Sequence, residues 1–451
     1  MKRFNVFEVF KNVLKSSFEW IDYSSVSIDS RNGVDGGIFF AMKGEKTDGN
    51  LYLENALNNR FSYCITTDPV QYEKLKGERV VLVEDSFVSL KNLAEWNLSL
   101  YKGEKIVITG SVGKTSTKAL ASAVLSQKYR VYEAFKNFNN ELGISIVASN
   151  LDLDSDIAIF EIGTNSPGEI RSLSSILKPD IAVVTNIGHA HIGMFGDFEA
   201  LKKEKLSISE SLVTGGTIWL NDSIDLSNYD LCSGICVKKF GFNPDSDLFI
   251  DELSYSNGID FIVNIKKPEL TRYSFHLNHP YDHFVINLLP VVGIAFENNL
   301  HYEEIYRGIL NFIPVDGRGS IKEINGVTVI DDTYNAGFEA MVSSIRNLSK
   351  MEGKNKIAIL GEMAEIDGFE NYLYGKLYDV VSGAKDINFM LCGKQFEKFR
   401  ELDNVKFFEN KEDFINSAVK IERGIYLVKA SRGKKFEDVV DKIMKEASLV
   451  I

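Results

Sequence analysis

The segment Thr109-Gly110-Ser111-Val112-Gly113-Lys114-Thr115-Ser116 follows the apolar run Lys105 to Thr109 and leads directly into a helical stretch. Glycines in such a loop let the backbone wrap a phosphate with its N–H groups pointing inward. Lys114 then offers charge to the outer phosphates, and Thr115 offers a hydroxyl to Mg2+. Ile108 stands where the commonest form of this loop has its first glycine. A glycine-containing turn before a helix is the bland alternative. The strand–loop–helix context favours nucleotide phosphate binding, by Gly110, Ser111, Val112, Gly113, Lys114, Thr115 and Ser116 together.

Further polar residues close apolar runs. Glu161 follows Ile157-Ala158-Ile159-Phe160, and Asn186 follows Ile181-Ala182-Val183-Val184-Thr185. In an open parallel sheet the carboxyl ends of strands line the ligand crevice. Glu161 there is a candidate Mg2+ ligand, and His191, five residues past Asn186, is another. Taken singly, a glutamate after a strand is as often a surface residue and a lone histidine more often structural. Their appearance together after a phosphate loop gives both more weight.

The elements that must hold these groups fall into three textures. Residues 1–84 carry short β-like runs (Val26 to Ile28, Ile38 to Met42, Tyr63 to Thr66, Val80 to Glu84) between Gly- and Asp-rich turns. Residues 85–313 begin with a helical stretch, Val88 to Tyr101, and continue with buried-type strands at Ile157 to Ile162, Ile181 to Ile187 and Thr217 to Leu220. Residues 314–451 alternate strands (Val327 to Asp331, Lys356 to Leu360, Phe389 to Cys392, Ile425 to Lys429) with helices whose apolar residues recur at 338, 341, 342, 345 and at 436, 439, 440, 443. Phe7, Phe10 and Leu14 have helical spacing, Phe198 to Leu212 reads as one helix, and Pro290 is expected to kink or shorten the helix around it.

A chain of 451 residues has room for two or three cores. Its formal charge of −12 (51 basic against 63 acidic residues), without a basic stripe, disfavours a nucleic-acid partner. Lys11, Lys15, Glu8 and Glu19 rule out a signal peptide at the N-terminus, and no apolar stretch is long enough to span a membrane. A cytoplasmic location is expected. Cys64, Cys232, Cys236 and Cys392 lack metal-ligand spacing and read as reduced buried thiols.

Over essentially its whole length the sequence resembles the Mur ligases. The phosphate loop with its missing first glycine is similar to theirs. So are Asp29-Ser30-Arg31, Asp48-Gly49-Asn50, Asn137-Phe138-Asn139-Asn140, Glu161-Ile162-Gly163 and Thr185-Asn186-Ile187-Gly188 with Ala190-His191. Later come Gly317-Arg318, Asp331-Asp332-Thr333-Tyr334-Asn335-Ala336, Gly361-Glu362-Met363 and Lys429-Ala430-Ser431-Arg432-Gly433. The resemblance implies an α/β chain of three domains: a small uridine-nucleotide domain, a central P-loop ATPase domain with a mostly parallel sheet, and a C-terminal Rossmann-like domain. It implies ATP and Mg2+ as cofactors, and UDP-N-acetylmuramoyl-tripeptide and D-alanyl-D-alanine as substrates of a monomer. Ser30, Arg31, Asp48, Gly49 and Asn50 would hold the UDP end, with Asn137, Asn139 and Asn140 also on the substrate. Thr115, Glu161, His191 and Lys205 would surround the metal, Lys205 as a carbamylated lysine. Lys114 and Arg318 join Glu161, His191 and Lys205 as catalytic candidates. Asn186, Asn287, Arg318 and Asp332 would contact ATP, and Tyr334 and Asn335 the dipeptide.

The sequence departs from the family pattern at Gly337-Phe338 (usually Asn-Pro), Asn50, Asp282, Tyr374 and Ala430. None of these removes a phosphate or metal group, and they bear on the acceptor. Two other readings stay open: a related ligase, such as a folylpolyglutamate synthase, and a non-catalytic paralogue that binds nucleotide or muropeptide.

Overall fold

A computed structural model describes residues 1–449 apart from 76–78, 136–137, 190–191, 256–257, 267–268 and 365. The chain forms two compact units: Met1–Val107, Arg130–Gly163 and Ser172–Pro179 make the first, and Ile108–Tyr129, Thr164–Arg171 and Asp180–Ile451 the second.

In the first unit a five-stranded sheet runs in the order Val13–Lys15, Val80–Val83, Phe61–Thr66, Gly37–Phe40, Ser25–Ser27. All pairings are parallel except that of the edge strand Val13–Lys15. Side chains alternate between two faces, as the two-residue period of a strand requires. Ile38, Phe40, Ile65, Val81 and Val83 pack with Leu90 and Leu93 of the helix Ser86–Leu100. Phe39, Cys64 and Leu82 pack with Leu53 and Ala56 of the helix Leu53–Asn58. Also in this unit, Val131–Glu133 pairs in parallel with Ile157–Glu161. The helix expected across Phe7, Phe10 and Leu14 is short. It spans Val6–Phe10, Lys11 turns left-handed at φ 61°, and Leu14 joins a strand with its side chain exposed. Pairing of Val13 with Val83 overrides the local spacing there.

In the second unit Ile181–Val184, Thr217–Asn221, Cys236–Gly241 and Leu248–Tyr255 pair successively in parallel. The antiparallel strands Ile259–Ile265 and Thr271–Leu277 extend that array. The helix Asp282–Glu297 continues through Pro290 and is not shortened. A proline inside a helix costs about 3 kcal/mol. Leu288, Leu289, Val291, Val292 and Ile294 are all buried around it, and at about 1.5–3 kcal/mol each their burial outweighs the lost hydrogen bond. The six-stranded sheet of this unit runs Ser320–Ile324, Val327–Asp332, Gly424–Lys429, Lys356–Gly361, Asn388–Cys392, Val405–Phe408, and only its first pairing is antiparallel. Val329, Ile359 and Val428 form its core with Val439, Val440 and Ile443. The chain is thus α/β with mostly parallel sheets, as anticipated. Cys64 and Cys392 are buried, but Cys232 and Cys236 are exposed, contrary to expectation. No helix among the described residues is long and apolar enough to cross a membrane.

Candidate active site

The loop after Glu104–Thr109 is held open by two glycines that no other residue replaces. Gly110 and Gly113 have φ of 145° and 87°, values that favour residues without a Cβ. A Cβ on Gly110 would collide with Thr185 Oγ1, and one on Gly113 would sit 2.6 Å from Asn287 Oδ1. Asn287, expected to contact ATP, therefore packs against the phosphate loop. The helix Lys114–Leu125 starts directly behind, so its unpaired N–H groups face the loop. Lys114 Nζ folds back onto the Gly110 carbonyl at 2.9 Å and that of Ser111 at 3.3 Å. Thr115 and Ser116 are buried.

The strand Ile181–Val184 stops short of the predicted Ile187, because the next residues bond to this loop instead. Ser111 N donates to Asn186 O at 3.0 Å, and the Asn186 side chain accepts from Val112 N at 3.0 Å and donates to Val112 O at 3.1 Å. Gly188 N donates to Ser111 Oγ at 2.9 Å, and that hydroxyl lies 3.2 Å from Gly188 O. Asn186 shapes the loop from outside.

Lys202, Lys203 and Lys205 do not form one solvated basic face. The helix is α over Phe198–Leu206 and a tighter 3-10 turn over Ser207–Ser211. Lys203 is exposed, whereas Lys202 pairs with Glu199 at 2.7 Å and is buried. Lys205 is 1% exposed and reaches Gly110 O at 3.3 Å. Burial, with the Lys114 charge beside it, pulls its amine down to about 7. Between them, buried Glu204 accepts from Gly168 N and Ile170 N, both at 2.7 Å, and anchors the segment before Glu169–Leu177.

A second cluster stands at the carboxyl ends of two neighbouring strands, Val327–Asp332 and Gly424–Lys429. Lys429 pairs with Asp332 at 2.7 Å and donates to Asn335 O at 2.9 Å, and Ser344 donates to the same Asp332 oxygen at 2.7 Å. The Arg318 guanidinium lies 4.0 Å and that of Arg432 5.4 Å from the Tyr334 ring centre. Arg318 Nε has no hydrogen-bond partner among the described residues. The Asn335 side chain accepts from Ala336 N at 2.8 Å. As site residues, Lys429, Ser344 and Arg432 escaped the sequence reading. The signal was topological: parallel neighbours bring their following loops together.

Within the first unit, Arg31 is exposed and grips Asp29 with Nε and Nη2, both at 2.8 Å. Asp48 caps the turn Gly49–Tyr52, and Gly49 lies against the Met42 backbone. Asn50 is buried and engaged by Thr66 Oγ1, Thr67 N and Asp48. Ser30 O accepts from Asn59 at 3.0 Å. Glu161 is buried at its strand end, with Asn139 Nδ2 at 3.5 Å, and Asn140 caps the helix Glu141–Ser149. Asn137 and His191 lie outside the described residues. No cluster of three His, Cys, Asp or Glu side chains occurs among the described residues. Taken singly, the buried Thr115 hydroxyl of the second unit and the buried Glu161 carboxylate of the first are each hard oxygen donors of the kind that suits Mg2+.

Residues 108–295 match the Mur ligase middle domain. The chain is 29% identical over 456 residues to the UDP-N-acetylmuramoyl-tripeptide–D-alanyl-D-alanine ligase of Bacillus subtilis (strain 168), covering 98% of each. A ligase of the same name from Synechocystis sp. is 30% identical over 370 residues, 81% of this chain and 77% of that one. In fold it is similar to MurF from Acinetobacter baumannii, with a TM-score of 0.86 at 21% identity over 99% of both chains. MurF ligase from Thermotoga maritima in complex with ADP gives 0.82 at 24% identity, over 94% of this chain and 98% of that one. Phosphate loop, strand-end carboxylate, fold and full-length relatives agree: the chain belongs to the Mur ligase family of ATP-dependent ligases.

Proposed function

We propose that this chain joins D-alanyl-D-alanine to UDP-N-acetylmuramoyl-tripeptide through an acyl phosphate, as a monomer in cytoplasmic peptidoglycan precursor synthesis. The observation that carries the reading is the full-length match to relatives of that name, in a chain that keeps the glycine geometry of the phosphate loop. Residues 1–84 would bind the muropeptide, 85–313 ATP, and 314–451 would form the C-terminal ligase domain. The requirement for ATP supports the cytoplasmic location.

A carboxylate is a poor electrophile, so phosphoryl transfer from ATP first converts it to an acyl phosphate. The dipeptide amine then attacks that carbonyl and inorganic phosphate leaves. Loop N–H groups hold the ATP phosphates, and Lys114 exchanges its contacts with Gly110 O and Ser111 O for the outer phosphates. Mg2+, held by Thr115, Glu161, His191 and Lys205, would supply charge for the transferring group. Lys205 serves as a carbamate: its neutral amine attacks carbon dioxide, forms an N–C bond and releases a proton. An amine held down to about 7 supports that role, because only the unprotonated form reacts. Arg318 and Asp332 act on the nucleotide side. Ser30, Arg31, Asp48, Gly49 and Asn50 position the UDP end, with Asn137, Asn139 and Asn140 on the muropeptide. Tyr334 and Asn335 face the dipeptide. Holding the substrates in register is worth on the order of 7–11 kcal/mol.

The departure at Gly337-Phe338 keeps a related acid–amino-acid ligase in view. Purified protein, ATP and a panel of UDP-muropeptides with candidate amines decide the matter by phosphate release and product mass. The expected product carries D-alanyl-D-alanine on the tripeptide. Turnover with another amine alone would replace the substrate assignment, and no turnover with any would leave only binding.

A further inference from the structure

Glu339 lies in the first turn of the helix Phe338–Lys350, immediately after the segment that carries Tyr334 and Asn335. Its Oε1 accepts two hydrogen bonds from His189, from the backbone N–H at 2.9 Å and from ring Nδ1 at 2.5 Å. The ring nitrogen is the donor, since a carboxylate only accepts. Glycine at 188 makes the approach feasible, because a Cβ there would lie 2.8 Å from Glu339 Cδ. The rings of Phe198, Phe338 and Tyr372 surround His189 at 5.9, 6.4 and 6.5 Å. Glu339 Oε2 is buried and has no hydrogen-bond partner among the described residues, so that within them His189 is what engages this carboxylate.

From His189 the bonds run without a gap to the phosphate loop. Gly188 is held through both N and O by Ser111 Oγ, and Asn186 is held by Ser111 N and by Val112. In the other direction the helix of Glu339 carries Ser344, which bonds Asp332, and Asp332 pairs with Lys429, which holds Asn335 O. One hydroxyl and one carboxylate therefore link the loop that wraps phosphate to the segment assigned to the incoming amine.

We infer that Glu339 is a positioning residue through which the phosphate loop and the Tyr334–Asn335 segment are coupled, so that nucleotide and acceptor bind cooperatively. A ligand that orders one end of a hydrogen-bonded chain lowers the cost of ordering the other, and the coupling is reciprocal. The inference rests on the acceptor role proposed above for Tyr334 and Asn335.

The test measures the dissociation constant of a non-hydrolysable ATP analogue with UDP-muropeptide present, with and without saturating D-alanyl-D-alanine. The wild type should show about a tenfold ratio between the two conditions, within the usual range for such coupling. Glu339→Ala should bring the ratio to one. Glu339→Gln keeps a carbonyl oxygen in place of Oε1 and should retain it. Gly188→Ala, whose methyl displaces the Glu339 carboxyl, is the independent second variant and should also abolish the ratio. A wild-type ratio of one, or an undiminished ratio in Glu339→Ala, overturns the inference. Loss in Glu339→Gln assigns the effect to charge and overturns it too. Product formation is read from the same wild-type preparation. Its absence counts against the substrate assignment, whereas product formed alongside an undiminished Glu339→Ala ratio counts against the coupling alone.

Discussion

Lys205 and Lys429 are both buried in the second unit, 1% and 2% exposed, yet their partners differ. Lys429 faces the Asp332 carboxylate at 2.7 Å and a second acceptor, Asn335 O. Lys205 donates to one carbonyl at 3.3 Å among the described residues, and burial, with the Lys114 charge adding to it and the Glu204 charge opposing it, brings its amine down to about 7. A buried ammonium is stable only when a partner replaces its water. Lys429 is thus a strut that ties two strand ends together through Asp332 and Asn335 O. Lys205 is a buried amine pulled down towards neutrality, which is what the carbamate proposed above requires of it. Two lysines at nearly equal burial thus differ in their partners, a carboxylate for Lys429 and a lone carbonyl for Lys205.

The comparison breaks most visibly if Lys205 proves dispensable. Lys205→Ala should lower ligation by about 10²–10³-fold, the range for removing one electrostatic group from an active site. Millimolar acetate or formate should restore part of it, and stripping bicarbonate should lower wild-type activity. Lys203→Ala, at an exposed position, should be mild. Near-wild-type turnover of Lys205→Ala would end the carbamate reading. The counterpart concerns folding. Lys429→Met strands Asp332 without its cation and should destabilise the chain by about 3 kcal/mol in urea unfolding, while adding Asp332→Asn should recover part of the loss. A change below about 1 kcal/mol would mean the strut is no stronger than a surface pair.

His279 extends the same logic to a buried base with no acid partner among the described residues. Burial takes it down to about 4, against a hydrogen bond with the Gly319 carbonyl that raises it. The unfolded chain takes up this proton near pH 6.5 and the folded chain only near 4. Stability is therefore complete above about 6.5 and falls as the pH drops towards 4, by about 3 kcal/mol for a shift of this size. Urea unfolding across that window should show the slope in wild type and a flatter one in His279→Asn. Parallel slopes would remove His279 from the account. The smallest effect is expected for Arg31→Ala. Its ion pair with Asp29 is exposed, so stability should move by less than about 0.5 kcal/mol. The Michaelis constant for muropeptide should rise a few-fold with that for ATP unchanged; equal changes in both would mark Arg31 as structural.

By itself the sequence determined what depends on chain neighbours. The loop Thr109–Ser116 was legible because its glycines, lysine and hydroxyl act within one turn of backbone, between a strand and a helix. The α/β class and parallel strands were legible because continuous apolar runs are what strands buried on both faces require. Packing decided the rest. It ended the strand at Val184, carried a helix through Pro290, and buried Lys202 and Lys205 on one helix. Lys429 meets Asp332 across 97 residues, and Glu339 meets His189 across 150. Such contacts leave no mark on the residues beside either partner, because strand order and the loops it gathers at one edge of a sheet bring them together.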